Sequence, residues 1–260
     1  MYQLFDQLPI WAIYILTFIM AIGAAEVGHR IGKVWQRRVS REKDAAIGGM
    51  VGSTLGLLAF LLAFVTGIAI NRYDTRRVLV LDEANAIGTT YLRAGYLGEP
   101  YSTESRALLS EYVDVRLSAL ESGQLESAIA RSEEIHNELW SSAETLAIET
   151  PDSTVLAIYI ESLNEVIDLH TKRLIAAFSA RIPSNLWMII FAVTVLAMGE
   201  VGFSNSYESR RSIIGVAVLA IVFTLVIGLI VDLDRPQSGL INVSQQALLD
   251  LQSQIGQSGP

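Results

Sequence analysis

The chain has 260 residues, 51% of them apolar, no cysteine and a net charge of -8. The apolar share exceeds that of an average soluble domain, the missing cysteines exclude disulfides and thiolate metal sites, and the acidic balance argues against nucleic-acid binding, which needs clustered Lys and Arg. The apolar excess gathers in four stretches, Ile10–Ala25, Ala45–Ile70, Leu186–Gly199 and Ser212–Val231, each read as a transmembrane helix.

Met1–Pro9 carries only Asp6 and lacks the basic segment of a cleaved signal peptide, so the first span is expected to stay as a helix. Trp11 in this span and Trp187 in the third are expected to anchor at the membrane interface. After Glu26 comes the loop His29–Lys43, with Arg30, Lys33, Arg37, Arg38, Arg41 and Lys43. So short and basic a loop stays cytoplasmic by the positive-inside rule.

Ala45–Ile70 carries no charge, and at about 1.5 Å per residue it spans the hydrocarbon core of roughly 30 Å. Gly48, Gly52 and Gly56, then Phe60, Phe64 and Ile68, follow at i+4 steps. Small residues let neighbouring helices approach, whereas bulky apolar rings can close a water path. Two readings therefore stand: a packing ridge with lipid-facing phenylalanines, or a pore-lining row that narrows to an aromatic constriction.

Beyond Asn71 the apolar residues Val78, Leu81, Ala84, Ile87 and Leu92 keep helical spacing, so the same helix is expected to continue out of the membrane. Gly95, Gly98 and Pro100 break it. Further helices are expected from a Thr103 cap to about Gly123, from Leu125 to Ile148, and from Pro151 to about Arg181, making an up-down bundle of about four helices. The third span ends in Gly199-Glu200-Val201-Gly202, as the first ends in Ala25-Glu26-Val27-Gly28, and Arg210 and Arg211 occupy the matching loop. This likeness points to two hairpins inserted in the same direction. A tail turning at Pro236 and Gly239 leads to a short helix near Gln245–Ile255, with a frayed end from Gly256.

The fold class is thus an all-α membrane protein: residues 1–70 form a first transmembrane hairpin, 71–183 a soluble helical bundle, 184–232 a second hairpin and 233–260 a tail. Acidic candidates are Asp82 and Glu83, on the helix that continues the second span, and Glu26 and Glu200 at equivalent span ends; each is read as ion-attracting or structural. Glu26 with His29 and Glu133 with His136 have the Glu-x-x-His spacing of di-iron bundles, but one pair lies at a membrane edge and the other in the soluble part. No metal, cofactor or catalytic set is expected.

Four spans around a helical domain resemble the bestrophin-like integral membrane proteins of bacteria and plants and, more distantly, the bestrophin channels. The likeness rests on Asn71-Arg72-Tyr73, on Asp82-Glu83-Ala84-Asn85-Ala86-Ile87-Gly88, and on Asp232-Leu-Asp234-Arg235-Pro236 with Gly239. The resemblance implies a homopentamer in a bilayer, with inorganic ions passing along an axis lined by the second spans. It sets Phe60 and Phe64 at two positions of an apolar neck and Gly56 at the third. Gly56 departs from the pattern, as does Asp74 in place of an aromatic residue. The acidic cluster that forms the calcium site of animal bestrophins is missing from the tail. Bestrophins include anion- and cation-selective members; the acidic charge here leans toward cations. The alternative is a non-conducting sensor or scaffold whose bundle binds a ligand or partner.

True bestrophins hold the soluble domain in the cytosol. The basic loops here argue for the extracytoplasmic side of a bacterial inner membrane.

Overall fold

The computed structural model describes residues 8–37, 44–122, 124–207, 212–236 and 239–257. Asp6, Arg38, Arg41, Lys43, Gly123, Arg210, Arg211 and the last three residues lie outside them. The elements are α1 (Ile10–Gln36), α2 (Asp44–Ala94), α3 (Tyr101–Ser122), α4 (Leu125–Glu149), α5 (Thr154–Phe178), α6 (Ser184–Asn205), α7 (Ile213–Asp234) and α8 (Gln246–Gln257). No strand occurs among the described residues. Four of the helices, α1, α2, α6 and α7, are long and apolar enough to cross a membrane. The 51 residues of α2 extend for roughly 75 Å, more than twice the hydrocarbon thickness, so part of this helix must lie outside the bilayer.

The chain forms two compact units, one built from residues up to Tyr73 with Arg181–Asn242, the other from Asp74–Ala180 and the chain from Val243 onward. In the first, the tightest packing joins α1 to α6. A Cβ on Gly28 would overlap the carbonyl of Gly199, and a Cβ on Gly202 would overlap the carbonyl of Ala25. Residues 25 and 28 correspond to 199 and 202 in the two Glu-Val-Gly segments, so the two contacts exchange under a local two-fold. Further along, Gly32 meets Ser206, and the Gln36 side-chain amide donates to the Ser206 carbonyl at 2.7 Å. The contacts advance together, which makes α1 and α6 parallel. Lipid does not drive these helices together by water expulsion; close backbone packing at glycine does.

Trp11 is exposed, but Trp187 is 1% exposed and stacks on Phe191. The expectation of an interfacial anchor fails there, because Trp187 joins Ile13, Ile190 and Ile227 in the core of this unit. The tail motif is structural. Asp232 accepts from the backbone N–H groups of Leu240 (2.8 Å) and Ile241 (3.0 Å), and Asp234 accepts from the Ile182 N–H (3.0 Å) and the Arg181 side chain (3.1 Å).

In the second unit the distal part of α2 joins α3, α4, α5 and α8 around Ile87, Leu109, Ile135, Leu139 and Leu163, all fully buried. On α4 the buried positions Ala128, Ser132, Ile135, Leu139, Ala143 and Leu146 recur every three or four residues, as burial of one helical face requires. α3 begins at Tyr101, so Thr103 lies within its first turn instead of capping it. α5 is capped by the Ser153 hydroxyl, which accepts from the Leu156 N–H at 3.1 Å, leaving Pro151 in the preceding turn.

Candidate functional site

α2 presents a bare face within the first unit. A Cβ built on Gly48, Gly52 or Gly56 meets nothing within 4 Å, and Phe60 and Phe64 are 67% and 59% exposed. Leu58, Leu62, Val65 and Ala69 on the opposite side are buried. The face is apolar and unpartnered within a single chain. Ile68 leaves it: steps of four residues drift about 40° each, so Ile68 turns some 80° from Phe60 and packs against the core. Gly67 takes its place on the open side, and Ala63, Phe64, Gly67, Ile68, Asn71 and Arg72 line an open depression of about 470 Å³. The missed signal for Gly67 was the mean helical period of 3.6, which alternates steps of three and four.

Hydroxyls contribute little to this face. Ser53 donates to the Gly49 carbonyl at 2.9 Å and Thr66 to the Leu62 carbonyl at 2.7 Å, each within its own helix.

The acidic candidates separate by environment. Glu26 pairs with Arg30 at 2.9 Å, with the arginine side chain 77% exposed, so this pair adds little stability. Glu26, His29 and Asn205 help to line a small cavity of about 70 Å³ beside α1, α6 and α7. One carboxylate oxygen of Glu200 is buried without a hydrogen-bond partner. In the second unit Asp82 faces solvent, whereas its neighbour Glu83 is fully buried. About 100° of helical rotation separates the two.

Glu83 is surrounded by residues that the sequence did not single out as a group. Arg173 forms an ion pair with it, Arg116 approaches to 3.6 Å, and the Tyr112 hydroxyl donates to it at 2.7 Å. Tyr112 also meets His170 Nδ1 at 3.1 Å, and the rings of His136 and His170 stand edge to face with centroids 5.0 Å apart. Both histidine pKa values are lowered to about 4, chiefly by burial; Arg116 adds to the lowering and Glu83 opposes it. The available signal was a polar residue on an apolar stripe: His136 falls between Ile135 and Leu139, and His170 follows Val166 and Leu169. Glu133 is exposed while His136 is buried, so their Glu-x-x-His spacing does not bring them together. Among the described residues no group of His, Asp and Glu is arranged to hold a metal ion.

A family model described as the Bestrophin-like domain matches residues 18–248. The chain belongs to the bestrophin-like family. Similar solved folds include a crystal structure of a membrane protein in a proline-to-alanine form, with a TM-score of 0.70 and 13% identity over 96% of this chain and 99% of that one. A leucine-to-threonine variant of a bacterial bestrophin homologue from Klebsiella pneumoniae gives 0.66 at 12% identity, again covering 96% and 99%. An isoleucine-to-threonine variant of a Klebsiella pneumoniae bestrophin homologue gives 0.63 at 15% identity, covering 94% and 99%. No curated protein matches the chain. These likenesses concern the fold of this bestrophin-like protein, and they are consistent with its four membrane-spanning helices.

Proposed function

We propose that copies of this bestrophin-like protein assemble, as a pentamer, around an ion path lined by α2. The observation that carries this reading is the bare apolar face of α2, on which Phe60 and Phe64 stand exposed one helical turn apart. Rings of phenylalanine around a narrow axis exclude water, so an ion must shed its hydration to pass until the helices move. Gly48 and Gly52 let neighbouring helices come close, Gly56 widens one end of the neck, and Ile68 borders the other. The protein acts as a channel and not as an enzyme. Its acidic charge, with Asp82 exposed on the continuation of the pore helix, favours cations. Glu26 and Glu200 contribute charge at the membrane edge. The basic loop after α1 puts the soluble unit outside the cytoplasm of a bacterial inner membrane.

Flux through reconstituted vesicles tests the reading. Phe60→Ala and Phe64→Ala should each raise ion flux; a barrier lower by about 1.4 kcal/mol corresponds to about tenfold. Absence of current from both variants under every ion gradient would sink it. A second reading, a non-conducting sensor or scaffold, draws on Ser53 and Thr66, whose hydroxyls bond within their own helix and leave a dry face. Second spans lying away from any symmetry axis in the assembled protein would favour it.

A further inference from the structure

The helical unit holds a charge cluster that ion conduction does not use. Glu83 from α2 faces Arg116 from α3 and Arg173 from α5, so two guanidiniums against one carboxylate leave a single positive charge in the core. Tyr112 from α3, His136 from α4 and His170 from α5 complete it. Residues of α8 and the segment before it are uncharged where they meet this core: Leu248, Leu251, Ile255 and Gln245.

The hydrogen bonds define the proton positions. Tyr112 has one proton to donate, and Glu83, facing two guanidiniums, is an acceptor that takes it. The Tyr112 oxygen therefore accepts from His170 Nδ1–H, which leaves Nε2 as the site that acid would protonate. Nε2 of His170 and Nε2 of His136 are both buried without a hydrogen-bond partner. A proton added to either imidazole brings a second positive charge into a core that already carries one, and at His170 Nε2 it creates an N–H with no acceptor.

Arg173 offers the way out. Its side chain is 14% exposed, against 7% for Arg116 and none for Glu83, so it is the cation best placed to swing into water. It also donates to the Gln245 side-chain oxygen at 3.2 Å, just ahead of α8. We propose that the Glu83–Tyr112–His136–His170 cluster, with Arg116 and Arg173, is an acid-sensitive latch: protonation of the histidines drives Arg173 outward and releases α8 from the helical unit.

The direction follows from linkage. With both histidines neutral, above about pH 6.5, the latch is closed at full strength. Between about 6.5 and about 4 the released form takes up protons that the closed form refuses, so opening rises by up to about tenfold per pH unit for each histidine.

The test is hydrogen–deuterium exchange of residues 246–257 in the full-length, detergent-solubilised protein between pH 7.5 and 4.5, corrected for the intrinsic pH dependence of exchange. Protection of α8 should fall more than tenfold while the α1–α6 crossing stays protected, and the His136→Gln/His170→Asn double variant should keep α8 protected at pH 4.5. Unchanged protection of wild-type α8 at pH 4.5, or equal loss in the double variant, would overturn the proposal. Should that variant not fold, imidazole titration of the wild type by NMR supplies the second measurement. Release of α8 while both imidazoles remain neutral refutes the latch; release that tracks their protonation supports it. Neither outcome depends on whether the protein conducts ions.

Discussion

Replacing Glu83 with glutamine keeps the side-chain shape and removes its charge. Because the carboxylate is fully buried, with Arg173 paired to it and Arg116 at 3.6 Å, the variant leaves two cations in the core with no anion beside them. Breaking a buried ion pair by removing one partner costs about 3–5 kcal/mol. For a protein of this size each kcal/mol is worth roughly 2–4 °C in melting temperature, so Glu83→Gln should lower it by about 6–20 °C. Asp82→Asn is the internal control: it removes the same charge one residue away, from an exposed position, and should cost no more than about 0.5 kcal/mol. Thermal melts of both variants in one detergent, followed by far-UV circular dichroism at pH 7.5, make the comparison. Equal shifts would refute the reasoning, since they would mean that Glu83 is not the counter-ion of the core.

The α1–α6 crossing predicts that Gly28→Leu and Gly202→Leu each destabilise the membrane unit by about 1–3 kcal/mol or more, because their side chains would displace backbone carbonyls. Gly56→Ala meets open space and should leave a single chain unaffected; size-exclusion profiles after mild heating separate the two cases. Asp232→Ala strips the acceptors from the Leu240 and Ile241 N–H groups, at about 1–3 kcal/mol. Chymotrypsin should then cut after Leu240 faster than in the wild type, and an unchanged rate would show that the tail is held by other contacts.

Each span could be located from its uncharged apolar run, because a bilayer demands length and hydropathy from one continuous segment. The helices of the second unit were legible for the same local reason: on α4 and α5 the buried residues repeat with the helical period. Their starts were less so. Tyr101 precedes the expected start of α3, and Ser153, not Pro151, sets the start of α5, since capping depends on backbone geometry that periodicity does not report. The Glu-Val-Gly repeat signalled two similar segments, yet only their packing revealed that each glycine admits the other segment's carbonyl.

By itself the sequence determined what sits within one helix: four spans, an unbroken α2, and a row of glycines followed by phenylalanines. The tertiary structure decided what comes from separate helices. Trp187 belongs to the core because other spans close over it, whereas Ile68 packs, partly buried, against that core because the drift of its helix turns it toward it. Glu83 becomes the centre of a buried charge cluster only when residues 112, 116, 136, 170 and 173 converge on it from three other helices. Helical periodicity is a property of neighbours along the chain, whereas the partners of a buried charge lie up to 90 residues away, and their meeting is set by how whole helices pack.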